Sequence, residues 1–387
     1  MNSRLSIAIL TLVLAGGLPA AIPAQPPILS LSPNGQLVCA NLQPGSVDTV
    51  EMATSFTGLW GANWAALSQL TAGPTGTIQT TVPIAKSPFT FFRVVELPPP
   101  TFTASGMALI PAGSFTMGDS TGDGITDAQP TNIYVSSFYM DTNLVSYGQW
   151  ETIFNYATNV GYVFDNAGSA KNNAVNEPVE SISWYDAVKW CNARSQNAGL
   201  TPVYYTDAAL TMIYTNGDSD AVYPNWNANG YKLPTEAQWE KAARGGLSGQ
   251  RFPWGDTISE SQANYLGDTD TNLFPYDLGP DGYNANFDTG SQPYTSPVGY
   301  FPANGYGLND MAGNLMEWCW DWYATPYGQP TTNNPTGPSS PSSVGSFRVT
   351  RGGQWNFYAL ITRTAYRFYS TPSSAENYGG IRCVKNP

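Results

Sequence analysis

The sequence contains no histidine in 387 residues. Without an imidazole, the chain has no Ser–His–Asp triad, no histidine-ligated zinc or iron centre and no imidazole acid–base catalyst. Charge is also scarce, since only 11 % of the residues are Asp, Glu, Lys or Arg, and cysteine occurs four times. These absences exclude several large classes of enzyme before any motif is considered.

Basic residues are fewer than acidic ones, with 16 Lys and Arg against 28 Asp and Glu and a formal net charge of −12. A protein of this charge is repelled by nucleic acid and by anionic membrane surfaces. Beyond the first residues, no apolar run is long enough to cross a bilayer. We therefore expect no nucleic-acid partner and no membrane span. The excess of acidic over basic residues suits an extracellular protein that binds Ca²⁺.

The residues that are plentiful are those of turns and aromatic contacts: 38 Gly, 31 Pro, 23 Tyr, 16 Phe and 12 Trp. This composition is typical of a loop-rich globular protein and differs from that of a disordered chain or a coiled coil. A chain of this length has room for two or three domains and a sizeable core.

The N-terminus has the pattern of an export signal. Arg4 precedes an apolar run over residues 5–18, and small residues follow up to Ala24. A short basic region, a hydrophobic region and a small-residue cleavage site characterise a signal peptide, here residues 1–24. The alternative is an uncleaved anchor. Either way we expect a secreted, periplasmic or cell-surface protein in an oxidising compartment, where cysteines can pair.

Two regions follow the signal. Residues 25–96 are rich in Thr, Val, Gly and Pro, and short β-prone runs at 35–40, 76–84 and 89–95 predict a small β-rich module. Residues 97–101 read Leu-Pro-Pro-Pro-Thr, a stiff Pro-rich linker and the best domain boundary in the chain. Residues 102–387 form one continuous unit.

Three amphipathic helices can be predicted in the second unit. The first covers about 146–157; the second begins at Ser183, with Asp186 three residues on; the third begins at Thr235 and ends at Arg244 before two glycines. Ser or Thr followed by a polar side chain three residues later is typical of a capping box, and glycine commonly ends a helix. Short strands and long loops account for the rest, so we predict an α+β class.

Several strings in this unit together resemble the formylglycine-generating-enzyme (sulfatase-modifying factor) family. Each string is weak alone, but their order and spacing are specific as a set. The resemblance implies a C-type-lectin-like fold with little regular secondary structure, and it does not extend to residues 25–96. The strings are residues 107–118, 178–188, 231–246, 251–256, 263–264, 304–318, 351–353 and 380–383.

The resemblance also implies a chemistry that this chain has lost. Family enzymes oxidise a cysteine of a sulfatase-type peptide to formylglycine with Cu(I) held by two cysteines, because soft thiolates select Cu(I). Those cysteines lie between the Arg-Gly-Gly motif and the terminal Gly-Phe-Arg-Cys motif, and here the segment contains none. Counting from the front motif, Phe357 stands at the first ligand position; counting from the rear, Ala359 stands near the second.

No other soft ligand replaces the missing cysteines, because residues 354–370 contain neither His nor Met. The absence of His also excludes the iron-dependent sulfoxide synthases of the family, which need a histidine triad. We therefore predict that the chain has no catalytic residues of the family type and that copper is not a cofactor.

Two of the four cysteines coincide with a structural disulfide of the family. Cys191 lies on the second predicted helix and Cys383 on the terminal strand, and the resemblance implies a bond between them. The alternative is two buried free thiols. Cys319 lies among tryptophans and is best interpreted as a small apolar group. A bond between Cys319 and Cys39 stays open.

The resemblance further implies two structural calcium sites, since Ca²⁺ takes six to eight oxygen ligands from carboxylates and carbonyls. The alternative for these loops is solvated carboxylates that cap them. A third stretch, residues 119–127, contains three aspartates but lacks EF-hand spacing and is interpreted as a polar loop. The first site consists of the side chains of Asp310 and Glu317 with the carbonyls of Gly313 and Leu315, and the second of Asn264, the carbonyl of Tyr265 and Asp288.

The segment after Arg-Gly-Gly is rich in aromatic and arginine residues, and in the lectin-like fold this region lines the substrate cleft. Large aromatic surfaces with a few arginines are typical of binding surfaces. The alternative is that about half of these rings belong to the core, and that Arg351, Arg367 and Arg382 pair with internal carboxylates. The predicted ligand cleft comprises Trp355, Phe357, Tyr358, Arg363, Tyr366, Arg367, Phe368 and Tyr369.

Two functions are compatible with these observations. The first is an exported binding or adhesion module for a protein, peptide or glycan, built on a catalytically inactive family domain. The second is an oxidase that converts a sulfatase-type cysteine to formylglycine. Stoichiometric Cu(I) binding would favour the second. A purely structural role stays open, because no motif in the sequence identifies a ligand.

Overall fold

The fold was analysed in a computed structural model of the chain. The structure describes residues 106–268, 274–325, 327, 331–343 and 345–387, together with the strands and a few adjoining residues before 106. Two compact units are present, Met1–Thr101 with Trp254–Asp256, and Phe102–Pro253 with Thr257–Pro387.

The first unit is built from short β-strands. In its described part, β1, β7, β4 and β5 form a four-stranded sheet in that order, and β2, β3 and β6 form a three-stranded one. Leu37, Cys39, Val50 and Ile78 belong to its buried apolar cluster. The strands are β1 (Ser6–Ile9), β2 (Ile28–Leu31), β3 (Gln36–Ala40), β4 (Val47–Ala53), β5 (Ala65–Thr71), β6 (Ile78–Thr81) and β7 (Phe89–Leu97).

The β-prone runs predicted at 35–40, 76–84 and 89–95 coincide with β3, β6 and β7. Residues 98–101 of the predicted linker lie outside the described residues, and so does the predicted signal peptide except for β1. A cleaved leader would carry β1 away with it, since β1 lies within residues 1–24.

The second unit contains three α-helices in its described part: α1 (Tyr147–Asn159), α2 (Trp184–Asn197) and α3 (Glu236–Ala243). All three begin where the sequence predicts. The side chain of Ser146 accepts from the amide of Gln149, and Ser183 and Thr235 each form a complete capping box. Glycines in the left-handed region follow α3, which explains its end.

Helix α2 is buried on every side, and each of its residues from Trp184 to Ser195 is shielded from solvent. The ring of Trp190 stacks on that of Trp150 from α1 with centroids 5.4 Å apart and planes 3° apart. A helix that is buried all round needs partners for its charged groups. Arg194 therefore forms a bidentate pair with the carboxylate of Asp141 at 2.6 and 2.9 Å.

The strands of the second unit are short, with β16 the longest of those described. Together with three helices they confirm the predicted α+β class. Helical turns of the 3₁₀ type cover Lys171–Asn173 and Ala359–Thr362. The strands are β8 (Met107–Ile110), β9 (Gly113–Met117), β10 (Thr131–Val135), β11 (Phe138–Asp141), β12 (Tyr204–Tyr205), β13 (Tyr223–Pro224), β14 (Leu266–Gly267), β15 (Gly282–Tyr283), β16 (Met316–Trp322), β17 (Arg348–Arg351), β18 (Phe368–Ser370), β19 (Gly379–Gly380) and β20 (Val384–Lys385).

Two sheets contain the strands of the C-terminal segment and fix its position in the second unit. Strand β11 lies between β8 and β20 and so joins the beginning of the unit to its end. The other sheet has the order β18-β17-β16-β19, with Glu317 opposite Arg351 and Thr350 opposite Phe368. Residues 352–367 therefore leave β17 and return to its neighbour as one loop. None of the helices among the described residues is long and apolar enough to span a bilayer.

Candidate ligand-binding surface

Beneath the C-terminal loop lies a buried network of arginines and glutamates. Arg367 holds Glu236 through two bonds, Nε to Oε1 at 2.6 Å and Nη2 to Oε2 at 2.9 Å. Arg351 pairs with Glu240, which also accepts from Arg244 at 2.7 Å. Buried charges are tolerated only when paired in this way, so these contacts fix α3 against β17 and the loop.

A second buried pair closes the end of the chain onto β16. Arg382 donates to both carboxylate oxygens of Glu317, at 3.0 and 3.2 Å, and to the carbonyl oxygen of Thr142 at 2.7 Å. The indole of Trp239 donates to the same carboxylate at 2.8 Å. With Arg351 and Arg367, this confirms the alternative that the three arginines pair with internal carboxylates.

The structure divides the eight residues predicted to line the cleft. Phe357, Tyr358 and Tyr369 are 42 %, 39 % and 38 % exposed. Tyr366 and Phe368 are half-buried. These five side chains keep part of their surface exposed to solvent.

The other three side chains are buried, so the predicted cleft is wrong in treating all eight as exposed lining residues. Trp355 is 1 % exposed and packs with Leu315 in a small apolar cluster. Arg367 is occupied by Glu236, and Arg363 is buried against Asp123 at 3.0 Å. The sequence pattern did not separate these residues because aromatic and arginine side chains serve equally well in cores and at surfaces.

Phe357 and Tyr358 form the principal exposed part of the surface. Their rings lie 5.9 Å apart at 67°, and Tyr358 stacks on Phe274 at 5.6 Å. The amide of Leu266, in β14, donates to the carbonyl oxygen of Phe357 at 3.0 Å and holds the loop in place. We call Phe274, Phe357 and Tyr358 the aromatic platform. Sequence reasoning missed Phe274, because no local pattern links it to residues more than 80 positions away.

Tyr369 belongs to a different group of rings. It lies 4.3 Å from Tyr323 and 4.8 Å from Phe347, measured between ring centroids. The hydroxyl of Tyr323 donates to Asp127 at 2.7 Å. The predicted cleft is therefore two aromatic patches rather than one continuous lining.

The positions where the family holds copper carry groups that do not bind it. Phe357 is exposed and apolar, and Ala359 is buried at the start of a 3₁₀ turn. No sulfur occurs anywhere in residues 354–370. Within the described ranges, no three His, Cys, Asp or Glu side chains converge in an arrangement that could hold a metal ion.

The carboxylates of the first predicted calcium set both accept hydrogen bonds from the protein. Asp310 is buried and accepts from the amide of Gly299 at 2.6 Å. Glu317 is engaged by Arg382 and Trp239. An ion at this loop would have to share Glu317 with a guanidinium, so Asp310 is the more suitable of the two ligands.

The residues of the second predicted calcium site each contact a different part of the protein. The side-chain amide nitrogen of Asn264, Nδ2, donates to the carbonyl oxygen of Tyr294 at 2.8 Å, and the hydroxyl of Tyr265 donates to the carboxylate of Asp277. Asp288 lies in an exposed turn and accepts from the amide of Gly290 at 3.2 Å. The structure gives no contact that unites these three residues around one point.

The loops of the two sets meet at Asn264 and Gly313. The carbonyl oxygen of Asn264 accepts from the amide of Asn314 at 2.7 Å. Gly313 has φ +76°, and a Cβ there would lie 2.2 Å from the same carbonyl oxygen. Only glycine fits this crossing, which explains the Gly-Asn pair in the motif.

The two cysteines of the predicted disulfide lie side by side. Their Sγ atoms are 3.5 Å apart, and both thiols are free and buried. Burial and the neighbouring Cys383 raise the pKa of the Cys191 thiol well above its usual value. A covalent bond needs about 2.05 Å between the sulfurs, so bond formation stays a prediction. Cys39 and Cys319 are buried as well.

The short strands, the few helices and the long C-terminal loop define an α+β domain of the C-type-lectin-like class. Residues 94–387 match the family model described as "Sulfatase-modifying factor enzyme 1-like domain", and the chain belongs to that family. The predicted family and fold class are thus confirmed.

Curated relatives and a solved structure show the same relationship. The chain is 31 % identical over 294 residues to the formylglycine-generating enzyme of Mus musculus, covering 72 % of this chain and 74 % of that one. It is 30 % identical over 293 residues to the chaperone protein LppX of Paenibacillus barcinonensis, covering 74 % and 91 %. Treponema denticola variable protein 1 superposes with a TM-score of 0.55 at 26 % identity, covering 75 % and 100 %.

Proposed function

We propose that this protein is an exported binding module that keeps the family scaffold and does not oxidise cysteine. The observation that carries the proposal is the loss of both copper-binding thiols from residues 354–370. Linear Cu(I) coordination needs two soft ligands, and Phe357 and Ala359 supply neither. The loop that would hold the metal instead presents an aromatic platform to solvent.

The platform has the properties of a surface that binds a protein, peptide or glycan. Aromatic rings provide a large contact area at a low cost in conformational entropy. The buried ion pairs of Arg351 and Arg367 hold the loop beneath it, so the rings are placed before a ligand arrives. Export through the predicted signal peptide would present this surface outside the cytoplasm.

The alternative function is an oxidase that converts a sulfatase-type cysteine to formylglycine. The names of several relatives favour it, since the chain is 31 % identical over 294 residues to one formylglycine-generating enzyme. This alternative requires a copper site made from atoms outside residues 354–370.

A single assay separates the two functions. The full chain is incubated with Cu(I) and a Cys-x-Pro-x-Arg peptide, and aldehyde is measured by mass spectrometry, with the copper content of the protein determined in parallel. We expect less than about one thousandth of the rate of an active family enzyme, because the two thiolates that would hold the redox-active Cu(I) are missing. The control is such an enzyme under the same conditions. Stoichiometric Cu(I) with conversion at enzymatic rates would overturn the proposal.

Structural calcium is a separate part of the proposal. Asp310 and Glu317 would supply carboxylates, Gly313 and Leu315 would supply carbonyls, and the ion would tie down loops that a small core does not hold. We expect Ca²⁺ to raise the melting temperature of chelator-treated protein by about 5 °C and Asp310→Ala to remove this rise. Asp288→Ala tests the second set in the same way. An unchanged melting temperature would contradict calcium at both loops.

A further inference from the structure

One aspartate of the polar loop 119–127 is clamped by two arginines. The carboxylate of Asp123 accepts hydrogen bonds from Nε and Nη2 of Arg251 at 2.6 and 2.7 Å. It also accepts one from Nη1 of Arg363 at 3.0 Å. The two guanidinium groups therefore share one carboxylate, and Oδ2 contacts both. This is the geometry with which proteins recognise a carboxylate, sulfate or phosphate group of a ligand.

The arginines are held in place by contacts other than Asp123. The ring of Tyr276 lies beneath both guanidinium groups, 5.3 Å from that of Arg251 and 5.8 Å from that of Arg363. Arg363 also donates from Nε to the carbonyl oxygen of Leu360 at 2.9 Å. The carbonyl oxygen of Arg251 accepts from the amide of Thr364 at 2.7 Å, which joins the two arginine segments. These contacts would restrict the movement of the two arginines if Asp123 moved away.

Asp123, in contrast, lies on a turn between two glycines in open space. Gly122 and Gly124 flank it with φ +79° and +82°, and a Cβ at either glycine would meet no atom within 4 Å. Its side chain is 17 % exposed and that of Arg251 is 25 % exposed. The side chain of Arg363 is 3 % exposed, so the pair is reached through Asp123 and Arg251. A carboxylate shared by two guanidinium groups is held more firmly than an ordinary surface ion pair, so an incoming anion must replace its contacts to displace it.

The rest of the loop has its own support. The carboxylate of Asp119 accepts from the amides of Thr121 and Ile125 at 3.0 and 3.3 Å. The departure of Asp123 would thus change only the tip of the loop.

The arginine pair adjoins the aromatic platform. Tyr276 lies 6.2 Å from Phe274, which stacks on Tyr358 at 5.6 Å. A small crevice is lined by both arginines together with Thr121 and Gln250. A ligand whose apolar part rests on the platform could therefore place an anionic group at the arginines.

We propose that Arg251 and Arg363 form an oxyanion-binding site for the ligand of this surface, and that Asp123 occupies the site in the free protein. The inference rests on the proposed binding function. The ligand class is a molecule with an apolar or aromatic part and an anionic group. Binding exchanges the carboxylate of Asp123 for that group, and the glycine-flanked turn moves aside.

The test is isothermal titration of the full chain and its variants with benzoate, sulfate and phosphate at low salt, in separate arms. Asp123→Ala removes the internal competitor, and we expect it to increase the affinity for at least one of these anions about tenfold. The preferred anion distinguishes a carboxylate ligand from a sulfated or phosphorylated one. Adding Arg251→Gln to Asp123→Ala should abolish the gain.

The matched control is Asp127→Asn in the same loop, because Arg367 beside it keeps both oxygens of Glu236. A second readout uses the unmodified chain, in which saturating anion should increase hydrogen exchange at residues 119–127. A gain below twofold for folded Asp123→Ala, an equal gain for Asp127→Asn, or unchanged exchange would each overturn the inference. The copper and aldehyde results are independent of it, so the two proposals fail separately.

Discussion

Glu240→Gln is expected to lower the free energy of unfolding by about 3–5 kcal/mol, the cost of leaving buried charges unpaired. Glu240 is fully buried on α3, and its carboxylate is shared by Arg351 and Arg244. It also accepts from the amide of Gly118 at 2.7 Å. The amide side chain has nearly the same shape but no charge, so two guanidinium groups would lose their common counter-charge.

The change in the free energy of unfolding is measured by chemical denaturation, with far-UV circular dichroism as the signal. Asp207→Asn is the matched control: Asp207 is also a carboxylate that accepts from backbone amides, at Thr211 and Met212, but in an exposed turn. We expect the control to stay within about 0.5 kcal/mol of the unmodified chain. A loss below about 1 kcal/mol for Glu240→Gln would show that the network is not a main support of the loop.

Oxidation of Cys191 and Cys383 is expected to have a comparable effect of opposite sign. Their sulfurs are 3.5 Å apart, and the residues are 192 positions apart in the chain. A bond that closes so long a loop restricts the unfolded chain, and the chain-entropy model gives roughly 3–5 kcal/mol of stabilisation. Because burial raises the pKa of the Cys191 thiol, little reactive thiolate is present in the folded state. The bond should therefore form during folding in an oxidising compartment.

The measurement compares protein exported through an oxidising compartment with the same protein after reduction under denaturing conditions and refolding. A peptide map without reductant should contain one linked peptide pair, Cys191 with Cys383. The double variant Cys191→Ala with Cys383→Ala should be equally stable with and without reductant. Four free thiols in the exported protein would contradict the prediction and leave the alternative of two buried thiols.

Together, these contacts separate the parts of the C-terminal loop that maintain the fold from the parts that face solvent. Arg351, Arg367 and Arg382 are committed to internal carboxylates and are unavailable to a ligand. The rings of the aromatic platform lie outside these ion pairs and are at least partly exposed to solvent. The surface can therefore stay rigid whatever stands at Phe357 and Ala359, because the ion pairs that hold it involve neither residue.

Much of the local structure follows from sequence. Ser183 with Asp186, and Thr235 with its partner three residues on, predicted helix starts that the structure confirms. A cap is a contact between residues three positions apart, so it can be recognised without knowledge of the fold. The family strings likewise predicted the fold class, and the absent cysteines limited the chemistry.

The division between core and surface could not be predicted in the same way. Trp355 and Tyr358 are three residues apart in one aromatic stretch, yet one is buried and the other exposed. Similarly, the sequence around Asp123 did not predict that its carboxylate pairs with Arg251 and Arg363. These outcomes depend on which distant segments pack against each residue, and the sequence pattern is the same in either case.

By itself, the sequence determined the helix starts, the family, the lack of histidine chemistry and the absence of cysteine from residues 354–370, because each of these depends on residue identity or on neighbours a few positions away. The tertiary structure alone decided which arginines are internal and which rings are exposed. Arg367 and Glu236 are 131 positions apart, and Arg351 and Glu240 are 111 apart. Pairs at such separations are selected by the packing of the whole domain, where a buried charge must find a counter-charge wherever the chain brings one.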